Sequence, residues 1–222
     1  MKSQQNGPIS PPIRLRVEFA LLFFVAPAVM AVAVPPGWLF PVLGVFSLLS
    51  ILLLLATPGF HLQELLEGWR RVSLRLVLSV AVVTAAVGSA IVLATAPGSF
   101  LGLVRGNPGL MLMIAALYPL VSALPQELVY RALFFRRYAS ILPDRAGPAV
   151  LLNAAVFSFA HLMYWSWIVL GMTFAGGLLF AWSHRVRRNF PEAVVVHAVA
   201  GIVLFAVGMG AYFYSGNVRR PF

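Results

Sequence analysis

From Val17 to Ser215 the chain is a succession of apolar blocks, broken by short runs rich in proline, glycine and arginine. Each block is close to the ~20 residues an α-helix needs to cross a bilayer, and none alternates as a barrel strand would. Seven membrane helices are expected. The first two cover about 17–34, closed by Pro35-Pro36-Gly37, and 38–56, ended by Thr57-Pro58-Gly59. The next two cover about 72–95 and 110–138. A fifth and a sixth share 149–184 and turn near 163–167, where Tyr164, Trp165 and Trp167 suit a headgroup-level aromatic belt. The seventh covers about 193–215. Between Phe60 and Arg71 an amphipathic piece sets Leu62, Leu65, Leu66 and Trp69 on one face, as a helix lying along the interface does. The fold class is all-α, a polytopic transmembrane bundle. Residues 1–16 form a polar tail, 17–216 a single transmembrane domain and 217–222 a second tail.

Composition agrees: 61% of the residues are hydrophobic and 10% charged, against about 25% charged in soluble domains. The net charge of +10 does not point to nucleic acid, because the arginines sit in short clusters between apolar blocks. Those clusters are topology signals. Lys2, Arg14 and Arg16 precede the first helix. Arg70, Arg71 and Arg75 separate the second from the third, and Arg136, Arg137 and Arg145 follow the fourth. Arg185, Arg187 and Arg188 follow the sixth, whereas the alternate connections carry little beyond Arg105. The amino terminus is therefore expected in the cytoplasm. Arg219 and Arg220 conflict with that count, and a re-entrant or eighth short segment would resolve it. With no cysteine there is no disulfide, thiol nucleophile or cysteine metal site.

Against this background a few ionisable side chains stand out. Glu127, one of only six carboxylates, lies with Arg131 in the fourth block; His161 and His197 lie in two later blocks. A charge inside a membrane costs several kcal/mol unless it has a partner or a hydrated cavity, so such residues mark function by default. Glu127 and Arg131 are four apart, share a helix face and can pair; the alternative is an interfacial pair with Arg131 reaching to the headgroups. Pro119 and Pro125, just before the pair, interrupt the backbone ladder and free carbonyls. Asn153, Phe157 and His161 form one stripe at spacings of four. Gly201 follows His197 by one turn and allows close approach. Each histidine alone also fits a helix–helix hydrogen bond. Together, Glu127, His161 and His197 are expected to converge on a cavity opening inward, with His161 at mid-depth.

The order Glu127-x-x-x-Arg131, Phe157-x-x-x-His161, the Gly176-Gly177 helix, the Pro191 turn and the His197 helix resembles the CPBP family of intramembrane proteases. That family includes the CAAX prenyl endopeptidases and bacterial Abi proteins. The resemblance spans a core of about 117–203. Two positions depart from the pattern: Gln126 stands where the first of two glutamates is usual, and Gly201 where an asparagine ends the motif. A subset of bacterial relatives carries the Gln-Glu pair, which points to a bacterial inner (plasma) membrane. The resemblance implies a glutamic-type intramembrane endopeptidase that cleaves a membrane-associated peptide or protein near the cytoplasmic side. Glu127 would activate a water held jointly with His161, His197 would donate to the oxyanion, and Arg131 would hold Glu127. Gln126, Asn153 and Tyr130 would position water or substrate, with Asn153 or Ser158 in place of the missing donor. No cofactor is required, although two histidines and a glutamate could ligate zinc. Two other readings stay open: a catalytically silent scaffold or immunity-type relative, and a proton-coupled transporter.

Overall fold

In the computed structural model the described residues are 13–218 and 220–221. Lys2, most of the expected 1–16 tail and Arg219 lie outside them. No strand occurs among the described residues. Seven helices are long and apolar enough to span a membrane: α1 (Ile13–Val32), α2 (Pro36–Leu55), α3 (Leu74–Thr95), α4 (Pro108–Arg137), α5 (Ala146–Tyr164), α6 (Trp167–Arg185) and α7 (Phe190–Val207). The chain is an all-α, multi-pass membrane bundle. Half of the α7 span is buried, against 11–17% for α1 to α4, so α7 is the helix around which the others pack. Gly177 lets α6 approach α5, since a Cβ there would stand 3.1 Å from the Ala154 Cα.

Three expectations need correction. The seventh helix ends at Val207, not near Ser215. Gly208 adopts φ +103°, and a Cβ there would strike the Ser99 carbonyl, so only glycine makes this turn. Beyond the turn lies a four-residue helix, Gly210–Phe213, too short for an eighth span. The 60–71 piece is not one helix but two 3₁₀ turns, Leu62–Leu66 and Trp69–Arg71. They break at Gly68 (φ +93°), where a Cβ would sit 2.7 Å from Asn189 Oδ1. Leu66 and Trp69 remain exposed, as an interfacial segment requires.

The basic connections are tied by carboxylates. Arg137 forms a two-point pair with Glu18 (2.5 and 2.9 Å), and the Tyr138 hydroxyl donates to the same carboxylate at 2.6 Å. Together they clamp α1 to the end of α4. Arg187 donates to Glu192 Oε1 at 2.5 Å while the Ser73 backbone N–H donates to Oε2 at 2.9 Å, joining the start of α3 to the start of α7. At the opposite end Arg220 donates to the carbonyls of Val32 (2.8 Å) and Val34. Val32 closes α1 and Val34 lies two residues beyond it, where carbonyls are left without helical partners. Arg220 thus lies on the side where seven spans leave it, serving as a helix cap. No extra segment is needed.

Candidate active site

Glu127 and Arg131 come from α4 and His197 from α7. Glu127 and Arg131 are fully buried, and His197 is 6% exposed. Glu127 Oε1 lies 2.8 Å from His197 Nδ1. An ionised carboxylate only accepts, so Nδ1 carries the proton and Nε2 keeps its lone pair. The other oxygen, Oε2, is 3.1 Å from Arg131 Nε. That approach is an ion pair by distance, but neither atom has hydrogen-bond geometry, so the attraction is charge rather than a directed bond. The guanidinium also lies over the Phe157 ring at 4.4 Å, a cation–π contact strengthened by exclusion of water. His197 stacks on Phe180 (4.6 Å, 10°) and meets Phe157 edge-on (5.7 Å). These contacts fix the imidazole plane.

One side of this cluster borders a cavity of about 1340 Å³ whose wall includes Tyr118, Ser122, Gln126, Tyr130, His161 and His197. Glu127 and Arg131 do not reach it; they lie behind His197. The wall continues to Ser99, Asn107, Gly208 and Asn217 and includes no residue of the basic connections 56–73, 138–145 or 186–189. The expectation was an inward opening; the lining lies mostly toward the end of the bundle away from the basic connections. The cavity reaches the face that carries the α3–α4 connection and the segment after α7, because α2, α3 and α4 leave their gap there.

His161 lines the cavity but is not at mid-depth. It terminates the α-helical stretch Ala146–Ala160, one turn from the end of the span. Its Nδ1 lies 2.8 Å from the Phe157 carbonyl and so donates, leaving Nε2 free. The Phe157 ring touches both imidazoles at 4.7 and 5.7 Å, a sum that bounds their separation at about 10 Å. Asn153 was expected to position water, but it is fully buried and its Nδ2 donates to the Tyr130 carbonyl at 2.5 Å. In that stretch (Leu128–Leu133) α4 forms wide π-type turns, which free a carbonyl from the helical ladder. Ser158 Oγ is likewise engaged, donating to the Leu170 carbonyl at 2.8 Å. Tyr130 lines the cavity, its ring edge against Phe157 at 5.3 Å. Gln126 Nε2 donates to Ser122 Oγ at 2.9 Å, and its Oε1 is buried with no partner.

Sequence reasoning missed Tyr118. A Cβ at Gly201 would fall on its ring and hydroxyl, so the position that looked empty is filled from α4. The available signal was the spacing of Tyr118, Ser122, Gln126 and Tyr130, every fourth residue of one helix.

Zinc was an alternative, and its ligand set is not assembled. Among the described residues no group of three His, Asp or Glu side chains could hold a metal ion.

Residues 107–203 match the family model for the type II CAAX prenyl endopeptidase Rce1-like proteins. The chain is similar to that family over its helical core. The match runs from the N-cap of α4 through the His197 helix, so the family's segment and the buried Glu127–Arg131–His197 cluster coincide. The CPBP and CAAX-protease resemblance read from the motifs is therefore supported by this match. No curated protein and no solved structure matches it.

Proposed function

We propose that the chain is an intramembrane endopeptidase in which Glu127 and His197 act as a dyad at the cavity wall. The supporting observation is the 2.8 Å contact between Glu127 Oε1 and His197 Nδ1 in a site closed to water on the carboxylate side. The water-activating role expected of Glu127 passes to His197 in this reading, because the imidazole borders the cavity and the carboxylate does not. Glu127 holds the Nδ1–H tautomer and stabilises the imidazolium as it forms, the part a buried carboxylate plays behind a catalytic histidine. Arg131, 3.1 Å from the other carboxylate oxygen, holds Glu127 in place by charge attraction.

The chemistry is hydrolysis of a peptide bond. His197 Nε2 takes a proton from water, and the hydroxide adds to the carbonyl carbon. The tetrahedral intermediate then collapses and expels the amine, which leaves with the proton from His197. His161 Nε2 supplies a second acceptor on the wall. The cavity wall is otherwise mostly apolar, which suits a membrane-associated peptide. With the amino terminus in the cytoplasm, the cavity extends toward the other side of the membrane, while His197, seven residues into α7 from its basic end, keeps the cut in the half nearer the cytoplasm.

The silent-relative reading is favoured by one observation: the residue of the Gln126–Glu127 pair that faces the cavity is the uncharged one. Quantitative mass spectrometry of membrane proteins separates the two. Cells lacking the protein are compared with cells restored by the native chain or by His197→Ala at equal abundance. The peptidase reading expects at least one membrane protein to stay uncleaved in the deletion and in the His197→Ala cells. Restoration of every cleavage by His197→Ala would support the scaffold reading instead.

A further inference from the structure

Among the hydroxyls on the cavity wall, that of Tyr118 has no task in His197-driven hydrolysis and stands beside the His197 ring. Tyr118, Ser122, Gln126 and Tyr130 all line the cavity from α4. At 3.6 residues per turn a spacing of four drifts around a regular helix. The wide turns at Pro119–Ala123 and Leu128–Leu133 take up that drift, which keeps the four side chains on one line. Gln126 donates to Ser122 at 2.9 Å, and Ser122 in turn interacts with the Tyr118 hydroxyl. At the end of this file the phenol enters α7. A Cβ at Gly201 would overlap Cε1, Cζ and the hydroxyl oxygen of Tyr118, so Gly201 is the notch that admits it. The ring is held edge-on by His197 (6.2 Å, 71°) and by Phe205 (6.0 Å, 65°). Gly201 is one turn beyond His197 on α7, which sets the phenol one helical turn from the imidazole.

We infer that Tyr118 is a catalytic residue of this site, donating its O–H to the substrate carbonyl oxygen as that oxygen gains charge. The inference rests on the peptidase reading and deepens it. When hydroxide attacks, His197 is receiving a proton at Nε2, so it does not serve the oxyanion at the same moment. The other groups first considered for that task are unavailable. Asn153 and Ser158 are bonded to backbone carbonyls. Tyr118 is the tyrosine packed against the His197 ring, and packing on two sides aims it in advance, as an oxyanion donor must be. No proton leaves the phenol. Its hydrogen bond strengthens as C=O becomes C–O⁻ and slackens when the amine is expelled.

The test uses the full protein in lipid vesicles and a synthetic peptide spanning the bond identified by the mass-spectrometric comparison. Tyr118→Phe keeps the ring and removes the donor. Its kcat is expected to fall about 10²–10³-fold, the usual cost of one lost oxyanion donor, with KM and the unfolding temperature little changed. Tyr118→Ala combined with Gly201→Asn places an amide donor in the vacated notch, and recovery of at least about tenfold over Tyr118→Ala alone is expected. A Tyr118→Phe protein within about threefold of native kcat overturns the inference and leaves the peptidase reading standing. A loss of activity that merely follows a loss of folding, unrelieved by the double variant, also overturns it. Failure of the native protein to cleave any membrane protein would instead remove the peptidase reading itself.

Discussion

Replacing Arg131 with methionine would test how the bundle carries its buried charge. Methionine fills a similar volume and removes only the guanidinium. Glu127 would then be a fully buried carboxylate whose Oε2 has lost a cation 3.1 Å away, with His197 alone to face it. Breaking a buried pair on one side costs about 3–5 kcal/mol. Loss of the contact over Phe157 at 4.4 Å adds to it, by as much as about 2 kcal/mol for a desolvated cation–π pair. At roughly 2–4 °C per kcal/mol for a chain of this size, the unfolding temperature should drop by about 6–28 °C. The assay is tryptophan fluorescence on heating in lipid nanodiscs, since five tryptophans report on the bundle. Glu127→Gln together with Arg131→Met removes both charges and should recover most of the loss, because a neutral pair owes no desolvation penalty. A single variant within about 2 °C of native, or a double variant that falls as far as the single, would refute the reasoning.

Two more outcomes concern the ties at the basic end. Glu192→Ala, which strips the Ser73 N–H and Arg187 of a buried acceptor, should cost about 1.5–3 kcal/mol, read as earlier hydrogen exchange at the starts of α3 and α7. Glu18→Gln turns a two-point ion pair into a neutral contact and leaves Arg137 and Tyr138 in place. It should lower the unfolding temperature by a few degrees and loosen α1 first, seen as faster proteolysis in the N-terminal segment.

The sequence made Glu127, Arg131 and His197 legible because ionisable groups inside apolar blocks have so few stable arrangements. Their mutual contact comes from that scarcity and from α7 packing at the centre. The helix count was legible for the same reason: spans of about 20 apolar residues have one use. Depth and direction were not. His161 was read at mid-depth because its block was taken to turn after residue 162, whereas the α-helical stretch ends at Ala160. Asn153 shares a stripe with His161, yet its amide is drawn to a Tyr130 carbonyl freed by the π-type turns of α4, and turn type is not written in hydropathy. The lining of the cavity was not legible either, because apolar pattern gives where a helix crosses, not which neighbours leave a gap. Tyr118 was hidden by the same limit. Gly201 reads as a missing side chain until α4 is seen to fill its place.

The central claim is that Glu127 works through His197, and the kinetics of Glu127→Gln in vesicles, on the peptide cut by the native chain, test it most directly. Glutamine keeps the shape but presents an amide that accepts from Nδ1 only weakly and does not stabilise the imidazolium. The account predicts a kcat lower by about 10³–10⁴-fold with KM nearly unchanged, as when a catalytic histidine loses its carboxylate. A Glu127→Gln protein that folds and turns over within about threefold of native would contradict it.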